Sequence, residues 1–178
     1  MTFSKDLNSI IVPFYNEEST LEKSVLRLVN EQFKKEIILV NDGSTDKSRE
    51  IALNLEKKYE LIKLINFDKN RGKGFAVKTG IKEASGDVVG IFDADLEYSS
   101  EDLNDLIVCI RMENLNFICG SRFIGNKTRN NIYLRTSLAN KLMSRLFSYV
   151  YKTKITDVAT CLKVFEREII ENIDIEKN

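Results

Sequence analysis

The chain has 178 residues, no net formal charge, 43% apolar and 30% charged side chains, three cysteines, one proline, no tryptophan and no histidine. That length suits one domain with a real core, and the lack of histidine removes Ser-His-Asp and Cys-His triads, histidine bases and most zinc hydrolase sites. A neutral chain lacks the overall footprint of a nucleic-acid binder, and an odd number of cysteines without a CxxC pair points to buried thiols in a reducing compartment.

Asn8 to Tyr15 (NSIIVPFY) reads as a first strand, ended by Pro13. The N-terminus runs straight into it without a signal peptide's basic-then-apolar plan, and no apolar run approaches the roughly 18 residues of a membrane span. A polar turn, Asn16 to Thr20, precedes a helix in which Leu21, Val25, Leu28 and Val29 recur at helical spacing. Ile37 to Val40 is a second strand and ends in Asn41-Asp42-Gly43-Ser44-Thr45-Asp46, where Ser44, Thr45 or Asp46 can cap the helix that runs to about Lys58. Leu61 to Ile65 is a third strand. The loop Asp68-Lys69-Asn70-Arg71-Gly72-Lys73-Gly74 then leads into a helix through Phe75 and Ile81. Its glycines permit close backbone approach and its cations suit a diphosphate, although the spacing is not that of a Walker loop.

Gly86 to Tyr98 (GDVVGIFDADLEY) follows. Val88 to Phe92 has the composition of a buried parallel strand, and Asp93, Asp95 and Glu97 crowd its end. Such acids fit a hard cation, Mg²⁺ or Mn²⁺, or else a solvated turn that opens the helix Ser100–Met112. Alternating strands and helices predict a doubly wound parallel sheet, whose ligands lie outside the carboxyl ends of the strands. Pro13–Glu17, Asn41–Asp46 and Asp93–Glu97 all fall at such ends.

Phe117–Gly120 is expected to be a strand, followed by Ser121-Arg122-Phe123 and a long helix from about Ile132 to Tyr151. Leu138, Leu142, Leu146 and Val150 form a stripe on it, flanked by Lys141, Arg145 and Lys152. That pattern fits either a membrane interface or a core-facing helix with solvated cations. From Asn114 to Thr156 there is no acid, whereas Arg122, Lys127, Arg129, Arg135, Lys141, Arg145, Lys152 and Lys154 are cationic. One region is therefore built to meet anions. Thr160–Phe165 and the acidic tail read as a last strand and a short helix.

IIVPFYNEEST, ILVNDGSTDKS, NRGKGFAVKTGIKEASGDVVGIFDADLEYSSEDL, GSRF and DVATCLKVF stand in the order found in inverting family 2 glycosyltransferases. The chain resembles that family from about Asn8 to Arg167, and within it the dolichyl-phosphate mannosyltransferase and polyprenyl-phosphate glycosyltransferase group. The resemblance implies a single α/β domain of GT-A fold over residues 1–178. Its Rossmann-like, mostly parallel sheet would bind the donor with about 1–98 and the acceptor with about 99–170.

It implies that Pro13, Tyr15, Glu17, Asp42, Arg71, Lys73 and Asp93 bind a GDP- or UDP-sugar, and that Asp95 and Glu97 hold Mg²⁺ or Mn²⁺. Arg122 and Arg135 would hold the phosphate of a polyprenyl or dolichyl phosphate acceptor. Asp157 would orient a cation or, with a saccharide or protein hydroxyl as acceptor, act as base. Glu97 stands where the family often has Gln, and Cys161-Leu162 where relatives have Gly or Cys and then an aromatic. Relatives usually continue further, so the chain is expected to be a minimal catalytic domain, half of a split system with a membrane-anchor subunit, or a truncated, nucleotide-binding remnant. The implied setting is peripheral, on the cytoplasmic face of an anionic membrane, with no nucleic-acid partner.

Overall fold

Successive side chains of a strand point to opposite faces, and the runs Ile10–Phe14, Ile37–Val40 and Val88–Phe92 are apolar at nearly every position, so they must be covered on both sides. The computed structural model, which describes residues 4–124 and 134–171, shows how. Strands β1 (Ser4–Phe14), β2 (Lys35–Asn41), β3 (Ile62–Asn66), β4 (Gly86–Ile91), β5 (Phe117–Cys119) and β6 (Lys163–Glu166) form one sheet in the order β3-β2-β1-β4-β6-β5. On one face, Ile10, Val12 and Phe14 of β1 join a core with α1 (Leu21–Asn30), α2 (Ser48–Lys58) and α4 (Ser100–Met112). On the other, Ile11, Ile38, Val40 and Val89 pack with α3 (Lys73–Glu83) and α6 (Arg167–Glu171).

The sheet is mostly parallel, as expected, but not throughout. β6 pairs antiparallel with both β4 and β5, so it alone runs against the other strands. It is also shorter at its start than Thr160–Phe165 suggests, beginning at Lys163. β1 does not stop at Pro13, which pairs in register with Val40. The ladder to β4 has ended by then, at Ile11, where a residue without an N–H does least harm.

Helix α5 (Leu134–Tyr151) overturns the core-facing alternative for its apolar stripe. Leu138 is 72% exposed, and Leu142, Leu146 and Val150 are exposed with it. The side turned to the protein is polar. Ser148 Oγ exchanges hydrogen bonds with the backbone of Ile155, Ser144 Oγ accepts from Val158 N at 2.9 Å, and Asn140 Oδ1 accepts from Ala159 N at 3.3 Å. Asn140, Ser144 and Ser148 recur every four residues and so share a face, opposite the leucines at 100° per residue. No described helix is long and apolar enough to cross a membrane.

Candidate active site

The carboxyl ends of β1, β2 and β4 open side by side into a cleft of about 290 Å³ lined by Pro13, Tyr15, Glu17, Asp42, Asp93 and Asp95, with Gly72 and Lys73 closing one side. The two loops after β1 and β2 are laced to each other. Asn16, in the left-handed region at φ 55°, accepts from Thr45 N at 2.8 Å and donates its own N–H to Ser44 Oγ. Glu17 N donates to Ser48 Oγ and Glu18 N to Asp46 Oδ2. These side chains thus serve the neighbouring loop, and α2 starts from Lys47 without a side-chain cap on its N-cap position, although Asp46 Oδ1 does accept from Ser48 N.

Asp42 is buried, and both its oxygens are engaged: Oδ1 accepts from Arg71 N at 2.8 Å and Oδ2 from Gly72 N at 2.9 Å. It holds the loop that opens α3. Gly43 and Gly72 make this approach feasible. Gly43 has φ +74°, and a Cβ there would lie 2.6 Å from Asn70 N. Gly72, at φ +91°, starts α3 with no side chain capping its first turn, and it lines the cleft; an uncapped helix N-terminus is a favourable place for phosphate. The Arg71 side chain instead stacks on Phe75, its guanidinium carbon 3.4 Å from the ring centre, and is not part of the cleft wall.

Lys73 is the cation of the cleft. Its Nζ lies 2.6 Å from Asp93 Oδ2 and 3.1 Å from Cys161 Sγ. Burial alone would lower its pKa, but the hydrogen bond and charge of Asp93 outweigh that and hold it above the ordinary value. Asp93 Oδ1 is buried and has no hydrogen-bond partner among the described residues, a costly state for a carboxylate oxygen unless something binds there.

Three residues on, Leu96 adopts φ 63°, a conformation uncommon for leucine and concentrated at functional sites. The turn brings Glu97 N to Asp95 Oδ1 at 2.9 Å. Asp95 reaches solvent in the cleft, yet the surrounding walls strip part of its hydration and raise its pKa, and the charges of Asp93, Glu97 and Glu17 add to the rise. Such acid crowding invites a cation. Among the described residues no three acids or thiols already converge on one point. A Mg²⁺-type site beside a diphosphate needs only one or two carboxylates, with substrate oxygens and water completing the shell, and Asp95 with Glu97 fits that requirement.

On the far side of Glu97 stands Arg122, in the turn after β5. Asp157, with no exposed side-chain surface, grips it in a fork: Nε to Oδ2 at 2.8 Å, Nη2 to Oδ1 at 3.0 Å, and the Arg122 backbone N–H to Oδ2 at 3.0 Å. Asn140 of α5 donates to Oδ1 at 2.5 Å. Burial would raise the Asp157 pKa, but the Arg122 and Asn140 hydrogen bonds prevail and hold it below the ordinary value. The remaining Nη1 of Arg122 meets Glu97 Oε1 at 3.2 Å.

The structure therefore brings Pro13, Tyr15, Glu17, Asp42, Lys73, Asp93 and Asp95 to one cleft and joins Glu97, Arg122 and Asp157 beside it. Arg135 lies in α5, and its side chain is outside the described residues, as are Lys127 and Arg129. Leu162 is a core residue, and its neighbour Cys161 reaches Lys73. Sequence reasoning missed Asn140 and Ser144, whose signal was a run of small polar residues at four-residue spacing inside a helix, a place such residues do not favour.

Solved structures share this architecture. The mannosyltransferase PcManGT from Pyrobaculum calidifontis, solved with GDP-Man and Mn²⁺, superposes with a TM-score of 0.65 at 21% identity, over 93% of this chain and 46% of that one. Glucosyl-3-phosphoglycerate synthase from Mycobacterium tuberculosis, solved with UDP, gives 0.69 at 21% identity, over 92% and 58%. The domain has the GT-A fold. The profile of glycosyl transferase family 2 matches residues 9–174, and the chain belongs to that family. It is 34% identical to the dolichol-phosphate mannosyltransferase of Pyrococcus furiosus over 94% of this chain and 48% of that protein. It is 33% identical to the dolichyl-phosphate beta-glucosyltransferase ALG5A of Trichomonas vaginalis over 90% and 53%. The chain spans about half the length of these curated relatives.

Proposed function

We propose that this domain transfers a sugar of mannose or glucose type from a GDP- or UDP-sugar to a polyprenyl or dolichyl phosphate, with inversion and with Mg²⁺ or Mn²⁺. The observation that carries the reading is Arg122: a guanidinium fixed by a buried acid, one ion pair away from the acids of the cleft. An arginine whose Nε and Nη2 are fixed by a buried acid presents its remaining Nη1 edge in a set orientation, which suits a phosphate oxygen. The names of the most similar relatives support a phosphorylated lipid as acceptor.

The residues divide the work. Pro13, Tyr15, Glu17 and Asp42 would form the nucleoside wall, while Lys73 and the first turn of α3 would face the diphosphate. Asp93 would hold the donor with its unpartnered oxygen and keep Lys73 in place. A divalent cation, bound by Asp95 and Glu97, would supply neutralisation of the charge on the departing diphosphate. Arg122, with Arg135, would aim the acceptor phosphate at the anomeric carbon. A phosphate oxygen forms the new bond there as the carbon–oxygen bond to the diphosphate breaks, and the electron pair leaves with the nucleotide. That nucleophile is already an anion, so no base is needed. A hydroxyl acceptor would need one, and Asp157 is poorly suited: its oxygens are taken by four donors and its pKa is lowered, the opposite of a tuned general base.

The exposed apolar face of α5, with Lys141, Arg145, Lys152 and Lys154 also exposed on the helix and just past it, supports seating on the cytoplasmic surface of an anionic membrane, alone or with an anchor subunit. The test begins with a thermal-shift screen of nucleotides and nucleotide sugars with and without Mn²⁺, followed by transfer assays. Product with polyprenyl phosphate is expected. Activity confined to saccharide acceptors would sink the reading, and so would nucleotide binding that never leads to turnover.

A further inference from the structure

The Arg122 guanidinium has two edges of very unequal strength. Toward Asp157 it makes a fork with a carboxylate that has no exposed side-chain surface, reinforced by Asn140 and by a backbone N–H. Toward the cleft its Nη1 makes a single contact with Glu97, 3.2 Å long, and 30% of the Glu97 side chain is exposed. A buried paired acid resists separation, because either partner left alone stays desolvated. A half-exposed single contact is worth roughly a factor of five or less in an equilibrium. The first thing to let go when this arginine is disturbed is therefore Glu97.

Glu97 also adjoins Asp95, whose Oδ1 accepts from the Glu97 N–H at 2.9 Å. It is thus shared between two sites, the Asp95 corner of the donor cleft and the only edge of Arg122 not already held by Asp157. An anion arriving at Arg122 finds Nη1 occupied, and a negative charge beside it. We propose that Glu97 and Arg122 form a latch between the two half-sites. While Glu97 is on Arg122, a phosphate monoester is bound poorly. When a divalent cation and a nucleoside diphosphate draw Glu97 toward Asp95, Nη1 is released and the phosphate site opens. The consequence is that cation and nucleotide strengthen phosphate-monoester binding through Glu97. This rests on the reading of Arg122 as the phosphate ligand and adds to it the role of Glu97 as a positioning residue. A glutamine at position 97 could not hold the latch with a charge, so the feature follows from the acid found in this chain.

The experiment is a set of binding titrations with farnesyl monophosphate, and separately with inorganic phosphate, on the full chain and on Glu97→Gln. Glu18→Gln serves as a control that removes an exposed acid from the loop after β1, outside the cleft lining and without touching Arg122. In the absence of metal, Glu97→Gln is expected to bind farnesyl monophosphate about fivefold tighter than the parent, with Glu18→Gln within about twofold of it. Adding Mg²⁺ and GDP or UDP should tighten the parent by about fivefold or more and Glu97→Gln by about twofold or less. Inorganic phosphate should bind more weakly with the same ratios, since the latch acts on the phosphate group.

Equal metal-free affinities of parent and Glu97→Gln would overturn the latch. So would an equal gain in Glu18→Gln, which would reveal a general charge effect, or ratios seen only with the lipid. Nucleotide binding combined with no phosphate-monoester binding by any variant would remove the acceptor reading together with the latch. That outcome is distinct from phosphate binding that ignores Glu97.

Discussion

The parallel half of the sheet and helix α5 use opposite rules for what faces inward. In Ile10–Phe14, Ile37–Val40 and Val88–Ile91 nearly every residue is apolar and buried between two helical layers, so position in the fold follows from hydrophobicity. In α5 the apolar side faces out, and Asn140, Ser144 and Ser148 attach the helix to residues 155–159. The first arrangement gains from water released by apolar burial. The second rests on a few directed hydrogen bonds and on the buried Asp157, and each such bond contributes little net while costing much if left unmade. The geometry of the cleft is therefore held by many small contacts, and that of Arg122 and α5 by a few decisive ones.

That contrast can be broken at its decisive point. Asp157→Ala should cost about 3–5 kcal/mol, because Arg122 is left without its buried partner, about as much as Leu28→Ala costs in the apolar core, roughly 2–5 kcal/mol. Urea unfolding measures both. The two should separate with pH. The folded-state pKa of Asp157 lies below its ordinary value, so its contribution is whole above about pH 4 and is lost as pH falls through the lower folded value. The Asp157→Ala deficit should shrink in acid, and the Leu28→Ala deficit should not. A pH-independent Asp157→Ala deficit would reject the ion pair as its source. On the donor side, Asp95→Asn should weaken Mn²⁺-dependent nucleotide binding by about a hundredfold, the upper end of what even supporting residues of metal sites cost. Nucleotide binding with unchanged metal dependence would remove Asp95 from the cation site.

The same contrast explains what was legible in the sequence. Val88–Phe92 and Ile37–Val40 announce buried strands because both faces must be apolar, and the polar clusters at their ends mark the cleft because ligands gather at carboxyl ends. The capping box Ser99–Asp102 was also readable, since its chemistry is local. The reversed direction of β6 was not, because four residues carry no sign of which way they pair. Nor was the outward turn of α5. Periodicity reveals that a helix has two faces but not which one the fold takes. The ties Glu97–Arg122 and Lys73–Cys161 join residues 25 and 88 positions apart, and no local pattern encodes such pairings.

On the acceptor side, Arg135→Ala should leave nucleotide binding intact and weaken use of a phosphorylated acceptor by about tenfold, the scale of one charge-assisted hydrogen bond. Equal loss of both would reject its assignment. Glu97→Gln, as argued above, should change phosphate binding by about fivefold in the metal-free protein.

The smallest expected effect on folding is the sharpest test of α5. If its leucines belonged to a core, replacing two of them would cost several kcal/mol, as at Leu28. They are exposed, so Leu142→Gln combined with Leu146→Gln should change stability by no more than about 0.5 kcal/mol. The same substitutions remove much of the apolar surface that would enter a lipid interface, so binding to phosphatidylserine-containing vesicles should fall while nucleotide binding stays constant. Lys141→Gln with Arg145→Gln should weaken vesicle binding by a comparable step, about 1 kcal/mol per cation, and only at low salt. Vesicle binding indifferent to both pairs would leave the outward face of α5 without a membrane role. A large loss of stability in the leucine pair would place those side chains against protein, and the inverted helix would then be the wrong description of this region.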